Sequence, residues 1–145
     1  MKRNSFNILL IEDNLGDVRL TKEALKETKL PVNLSTVIDG SEALNYLLKI
    51  KGYEDAVTPD LILLDLNLPK KDGREVLKAI KTNTNLLSIP VVVLTTSNAE
   101  KDIKECYELH ANCIMNKPVD FDDFFKAIKN VVEFWSNLPI ISMVK

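Results

Sequence analysis

Glycine is scarce in this chain of 145 residues, and its four occurrences, Gly16, Gly40, Gly52 and Gly73, never fall two or five positions apart. No GxGxxG turn and no GxxxxGK phosphate loop can be written, which excludes dinucleotide-binding and P-loop nucleotide chemistry. Cysteine is equally sparse: Cys106 and Cys113 make no framework for a small secreted fold, which fits a reducing compartment and packed thiols. Charge of one sign is missing too. Lys+Arg 19 against Asp+Glu 21 gives a net charge of −2 with no block of like charges, so the electrostatic footprint of a nucleic-acid binder is absent. The apolar run after the polar Met1–Ser5 stops at Glu12-Asp13, too short for a signal-peptide core or a bilayer span, so the expected location is cytoplasmic, without membrane contact.

What is present is apolar material for one core, 46 % of the chain, in a length typical of one domain. Short apolar runs alternate with amphipathic stretches. Asn7–Ile11 (NILLI) reads as a strand, and Leu15, Val18 and Leu25 recur at near-helical spacing behind it. Val32–Ile38 alternates before Asp39-Gly40, then Ala43, Leu44, Leu47 and Leu48 trace a second helix and a loop spans Gly52 to Pro59. Leu61–Leu64 (LILL) and Pro90–Leu94 (PVVVL) are continuous apolar runs, as strands covered on both faces should be. Val76, Leu77 and Ile80 give a third helical stripe, Ile103, Cys106 and Tyr107 a fourth. Cys113–Met115 makes a last strand, and Phe121, Phe124, Phe125, Ile128, Val131, Val132 and Trp135 the face of a last helix. Five strands and five helices in strict alternation require right-handed crossovers and a mostly parallel sheet with helices on both faces.

Ligands of such sheets bind beyond the carboxyl ends of the strands. Strand 1 ends in Glu12-Asp13, strand 3 in Asp65, strand 4 in Thr95-Thr96, and strand 5 in Lys117 before Pro118. Three carboxylates within about 5 Å repel by roughly 3 kcal/mol per pair at an effective dielectric of about 20, so a cation must offset them. Lys117 supplies one charge; an all-oxygen site suits a hard divalent ion, Mg²⁺ before Ca²⁺.

Four motifs in this order, the acidic pair of LLIEDN, Asp65 in LILLDLNLPKKDG, Thr95 in VVVLTTS and Lys117 in NKPVD, resemble the response-regulator receiver domain of two-component signalling over nearly the whole chain. The resemblance implies a flavodoxin-like, doubly wound five-stranded sheet of order 2-1-3-4-5. It implies that Asp65 accepts a phosphoryl group from a histidine kinase, with Thr95 and Lys117 holding the phosphoryl oxygens. Asp13, Asp65 and the main-chain carbonyl of Asn67 would bind Mg²⁺, and Glu12 would hold the ion through water. Asn67 and Ser97 would flank the water that hydrolyses the acyl phosphate. The protein would then be a switch with only autophosphorylation and autodephosphorylation activity. A carboxylate is already ionised at neutral pH and needs no base to attack phosphorus, so positioning and charge neutralisation suffice.

The sequence departs from the family at Ile114, where an aromatic residue usually precedes the lysine by three; an aromatic rotamer switch is thus not expected, and the loop after Thr95 and the fourth helix carry the change instead. EDNLGDVRLTKEALKE and VVEFWSNLP resemble the small stand-alone receivers of phytochrome-type and related histidine kinases.

Other chemistry fits less well. LILLD also suits the nucleophile strand of a haloacid-dehalogenase-like phosphatase, which would want an aspartate where Asn67 stands. Cys106, His110 and Cys113 make three zinc ligands without a fourth. His110, the sole histidine, suits the C-terminus of a helix, and Asp120, Asp122 and Asp123 suit the N-terminus of the last one.

The expected organisation is a receiver over residues 1–135 and an apolar tail over 136–145, with no attached output domain. Pro139, Ile140, Ile141, Met143 and Val144 suggest a contact with a second copy, a homodimer. A histidine kinase and a downstream phosphotransfer protein are the other expected partners.

Overall fold

The computed structural model describes residues 5–28, 31–96 and 99–137. The elements run β1 (Phe6–Ile11), α1 (Leu15–Leu25), β2 (Val32–Val37), α2 (Gly40–Leu48), β3 (Leu61–Asp65), α3 (Gly73–Lys81), β4 (Val91–Thr95), α4 (Glu100–Glu108), β5 (Cys113–Asn116) and α5 (Phe121–Ser136). All strand pairs are parallel and the sheet order is β2-β1-β3-β4-β5. The expected flavodoxin-like receiver fold is therefore the observed one.

Alternation along each central strand splits the core in two, because successive side chains leave a strand on opposite faces. Leu9, Ile11, Ile62, Leu64, Val91 and Val93 pack with Ala43 and Leu47 of α2, Val76, Leu77 and Ile80 of α3, and Cys106 of α4. Ile8, Leu10, Leu61, Leu63, Val92 and Leu94 pack with Val18 and Leu25 of α1 and Phe124, Ile128 and Val132 of α5. Residues buried on both sides explain why β3 and β4 are unbroken apolar runs, and each such side chain contributes about 1.5–3 kcal/mol.

The helical stripes are narrower than their periodicity suggests. Leu15 is 76 % exposed and Phe121 is also exposed, because each sits in the first turn of its helix, before the side chains that reach the sheet. In α4 only Cys106 is buried; Tyr107, about 100° further round the helix, faces outward. Cys106 and Cys113 belong to different sides of the sheet and are both free thiols, so the three zinc candidates are not gathered. His110 lies just past α4 with φ of 71°. Asp120 caps α5, its side chain accepting from the Asp123 N–H.

Close approach fixes the loop between β3 and α3. A Cβ on Gly73 would lie 2.6 Å from the Asp65 carbonyl oxygen and 2.7 Å from the Leu66 Cα, and one on Gly40 would lie 2.2 Å from the Lys71 carbonyl oxygen. The starts of α2 and α3 can therefore grip residues 65–72 only because both positions lack a side chain.

Among the described residues no helix is long and apolar enough to cross a membrane. α5 continues through Ser136, one residue beyond the expected boundary; the apolar positions 139–144 lie outside the described residues, as does Ser97.

Candidate functional site

The carboxyl ends of β1, β3, β4 and β5 meet at one edge of the sheet. Glu12 follows β1 and is held level with the strand ends by its N–H, which donates to the Val37 carbonyl at 3.0 Å. Asp65 is the last residue of β3, paired in register with Leu94, and Thr95 is the last of β4, paired with Asn116. Lys117 follows β5 directly, its N–H donating to the Thr95 carbonyl at 2.8 Å. The parallel ladder thus delivers all four motifs to the same place.

Glu12, Asp13 and Asp65 each offer one carboxylate oxygen within 4.8 Å of the others, the one such metal-competent group among the described residues. Glu12 and Asp65 are buried, whereas Asp13 is exposed. The set is all oxygen and carries several negative charges at close quarters, which suits a hard divalent cation and is poorly matched to a soft one. Asn67, expected as a further ligand through its carbonyl, sits two residues beyond Asp65, and its N–H donates to Asp65 Oδ1 at 3.3 Å. Thr95 is buried at the neighbouring strand end.

The Lys117 ammonium lies inside this cluster, 2.6 Å from Glu12 Oε1, 2.9 Å from Asp17 Oδ2 and 3.6 Å from Asp65 Oδ1, with its side chain only 9 % exposed. The other Glu12 oxygen accepts from the Asn14 N–H at 3.2 Å. Burial, and the nearness of Asp65, push the Glu12 carboxyl up to about 7 against the downward pull of Lys117. Burial alone would lower the Lys117 ammonium, but its hydrogen bonds to Glu12 and Asp17 prevail and raise it.

Asp17 is the participant that sequence reasoning missed. It stands in the first turn of α1, four residues after Asp13, where helical side chains lean back toward the N-terminus and so toward the strand ends. In sequence it is indistinguishable from an aspartate that merely complements the helix dipole.

A second charge network ties α4 to α3. Arg74 pairs with Asp102 at 2.7 Å, with Asp72 at 3.3 Å and, through Nε, with Glu105. Burial would lower the guanidinium, but these carboxylates override it and raise it further.

Residues 8–129 match the family described as the response regulator receiver domain. Response regulator Rcp1 of Synechocystis sp. (strain ATCC 27184 / PCC 6803 / Kazusa) is 49 % identical over 128 residues, covering 88 % of this chain and 87 % of that protein. Among solved structures, the phosphorylated cyanobacterial phytochrome response regulator RcpA superposes with a TM-score of 0.89 at 50 % identity, covering 92 % of this chain and 95 % of that one. The Mn²⁺-bound form of Rcp1 gives a TM-score of 0.88 at 47 % identity, covering 92 % and 96 %. Together with a sheet of order 2-1-3-4-5 whose strand ends gather an acidic trio and a lysine, these matches show that the chain belongs to the response regulator receiver domain family.

Proposed function

We propose that this receiver is a phosphorylation-operated switch in which Asp65 accepts a phosphoryl group from the phosphohistidine of a histidine kinase, of the phytochrome type. The observation that carries the reading is the buried Asp65 carboxylate set between the Glu12–Asp13 pair and the Lys117 ammonium. An anionic nucleophile meets an anionic phosphodonor there, and the chemistry is one of charge neutralisation and alignment. One Asp65 oxygen forms the new O–P bond as the N–P bond of the donor breaks, and the leaving imidazole takes up a proton.

Lys117 supplies the positive charge on one side of the new phosphoryl group, and the Thr95 hydroxyl donates a hydrogen bond to it. Glu12, Asp13, Asp65 and the Asn67 carbonyl would hold Mg²⁺, which when bound screens carboxylate from phosphodonor. Hydrolysis of the acyl phosphate, with Asn67 beside the attacking water, resets the switch. Such a cycle needs no further enzymatic activity. Rcp1 was crystallised with Mn²⁺ and RcpA in phosphorylated form, and both support the reading by similarity.

The test is intact mass after incubation with Mg²⁺ and phosphoramidate. Addition of one phosphoryl group, lost with EDTA and lost in Asp65→Asn, is expected; no addition to a folded, Mg²⁺-binding chain would favour a receiver that only docks partners. A downstream phosphotransfer protein is the proposed recipient. A second copy is the proposed assembly partner, and sedimentation showing a monomer at tens of micromolar, phosphorylated or not, would overturn the dimer.

A further inference from the structure

Lys117 has one carboxylate more than the cation site needs. Glu12 and Asp65, which it touches at 2.6 and 3.6 Å, both belong to the acidic trio, whereas Asp17 at 2.9 Å does not. If the trio takes a divalent cation, the ammonium and the dication compete for the same oxygens. At about 4 Å and an effective dielectric of about 20 they would repel by roughly 8 kcal/mol, so the lysine must either leave the site or find its own counter-charge beside it.

We propose that Asp17 is that counter-charge: a positioning residue that holds the Lys117 ammonium on the α1 side of the cluster, so that lysine and divalent cation occupy the site together. The inference rests on the reading of Glu12, Asp13 and Asp65 as a cation site.

Local structure aims Asp17 for the task. Its N–H donates to the Asn14 side chain at 3.0 Å and its carbonyl accepts from the buried Thr21 hydroxyl at 2.8 Å, so both backbone groups are engaged and the first turn of α1 is fixed. The side chain is left to Lys117. On the other side, the Lys117 backbone is pinned to the end of β4 through the Thr95 carbonyl. Lysine and aspartate are thus mounted on separate elements, one directly after β5 and the other in the first turn of α1. Without Asp17 the ammonium would settle wholly on Glu12 and Asp65, the oxygens a cation requires.

Mn²⁺ binding, followed by the electron paramagnetic resonance of the free ion, tests this without any phosphodonor. Four proteins are compared: the unaltered chain, Asp17→Asn, Lys117→Met and the double variant. Asp17→Asn is expected to weaken binding on the order of fivefold when Lys117 is present and by less than about twofold in the Lys117→Met background, since residues acting through one another are non-additive. Asp17→Glu should restore most of the affinity, and Asp17→Ser provides a second truncation if the asparagine variant folds poorly. Equal losses in both backgrounds would make Asp17 a ligand or a plain charge and overturn the proposal, as would no loss in either. An unaltered chain that binds no Mn²⁺, or one whose binding survives Asp13→Asn and Asp65→Asn, would instead overturn the cation site itself and the inference with it.

Discussion

Glu12 is 1 % exposed, lies against Asp65 and keeps a proton to higher pH than a free glutamate, and this has a consequence for stability. Between the ordinary value of 4.5 and the folded value of about 7, the folded chain holds a proton that the unfolded chain has released. The folded state then binds more protons, so in metal-free buffer Glu12 makes stability fall as pH rises through that window. The shift caps the effect at roughly 3 kcal/mol. Urea unfolding midpoints in EDTA, taken near the two ends of the window, should show the fall, and Glu12→Gln should flatten it. A midpoint that rises with pH in the unaltered chain but not in Glu12→Gln would contradict this assignment. The same residue shows where sequence reasoning stops: Glu12 was legible as a strand-end carboxylate, but its protonation is raised by burial and by Asp65, with Lys117, 105 positions away, pulling against them.

At the scale of elements, α4 is the helix least attached to the core. Cys106 is its sole buried residue, and its N-cap, Ala99, contributes no side-chain hydrogen bond. What fastens it is Arg74 of α3, reaching Asp102 and Glu105. Removing such pairs costs about 1 kcal/mol locally, so Arg74→Met should speed amide exchange in residues 100–108 by roughly fivefold while β1, β3 and β4 keep their protection. Salt on the order of 1 M should act in the same direction on the unaltered chain. Unchanged exchange in α4 would show that packing, and not charge, holds it. The elements themselves were readable because LILL and PVVVL have no polar face, a pattern that double burial in a parallel sheet demands. The Arg74 clamp was not readable, since its partners stand 28 and 31 positions away and arginines near carboxylates are common on any surface. Leu15 and Phe121 looked like core residues because periodicity marks a helical face and not where the sheet beneath it ends.

Across the whole molecule, the parallel sheet converts four separated motifs into one site and leaves its two faces unequal. α1 and α5 cover one side and α2, α3 and α4 the other. Ile114, which stands where the family usually has an aromatic residue, packs half-buried against the cluster that includes Cys106 of α4. The Arg74 pairs with Asp102 and Glu105 are the described contacts that tie α4 to α3, the helix that follows Asp65 in the chain. The switch requires Asp65 to be the group that reacts. The direct measurement is borohydride reduction of the chain after exposure to Mg²⁺ and phosphoramidate, followed by peptide sequencing, because reduction of an acyl phosphate leaves homoserine at the residue that carried it. Homoserine at position 65, absent when EDTA is added first, is the expected result; homoserine at position 13 or elsewhere, with position 65 unchanged, would show that Asp65 is not the acceptor.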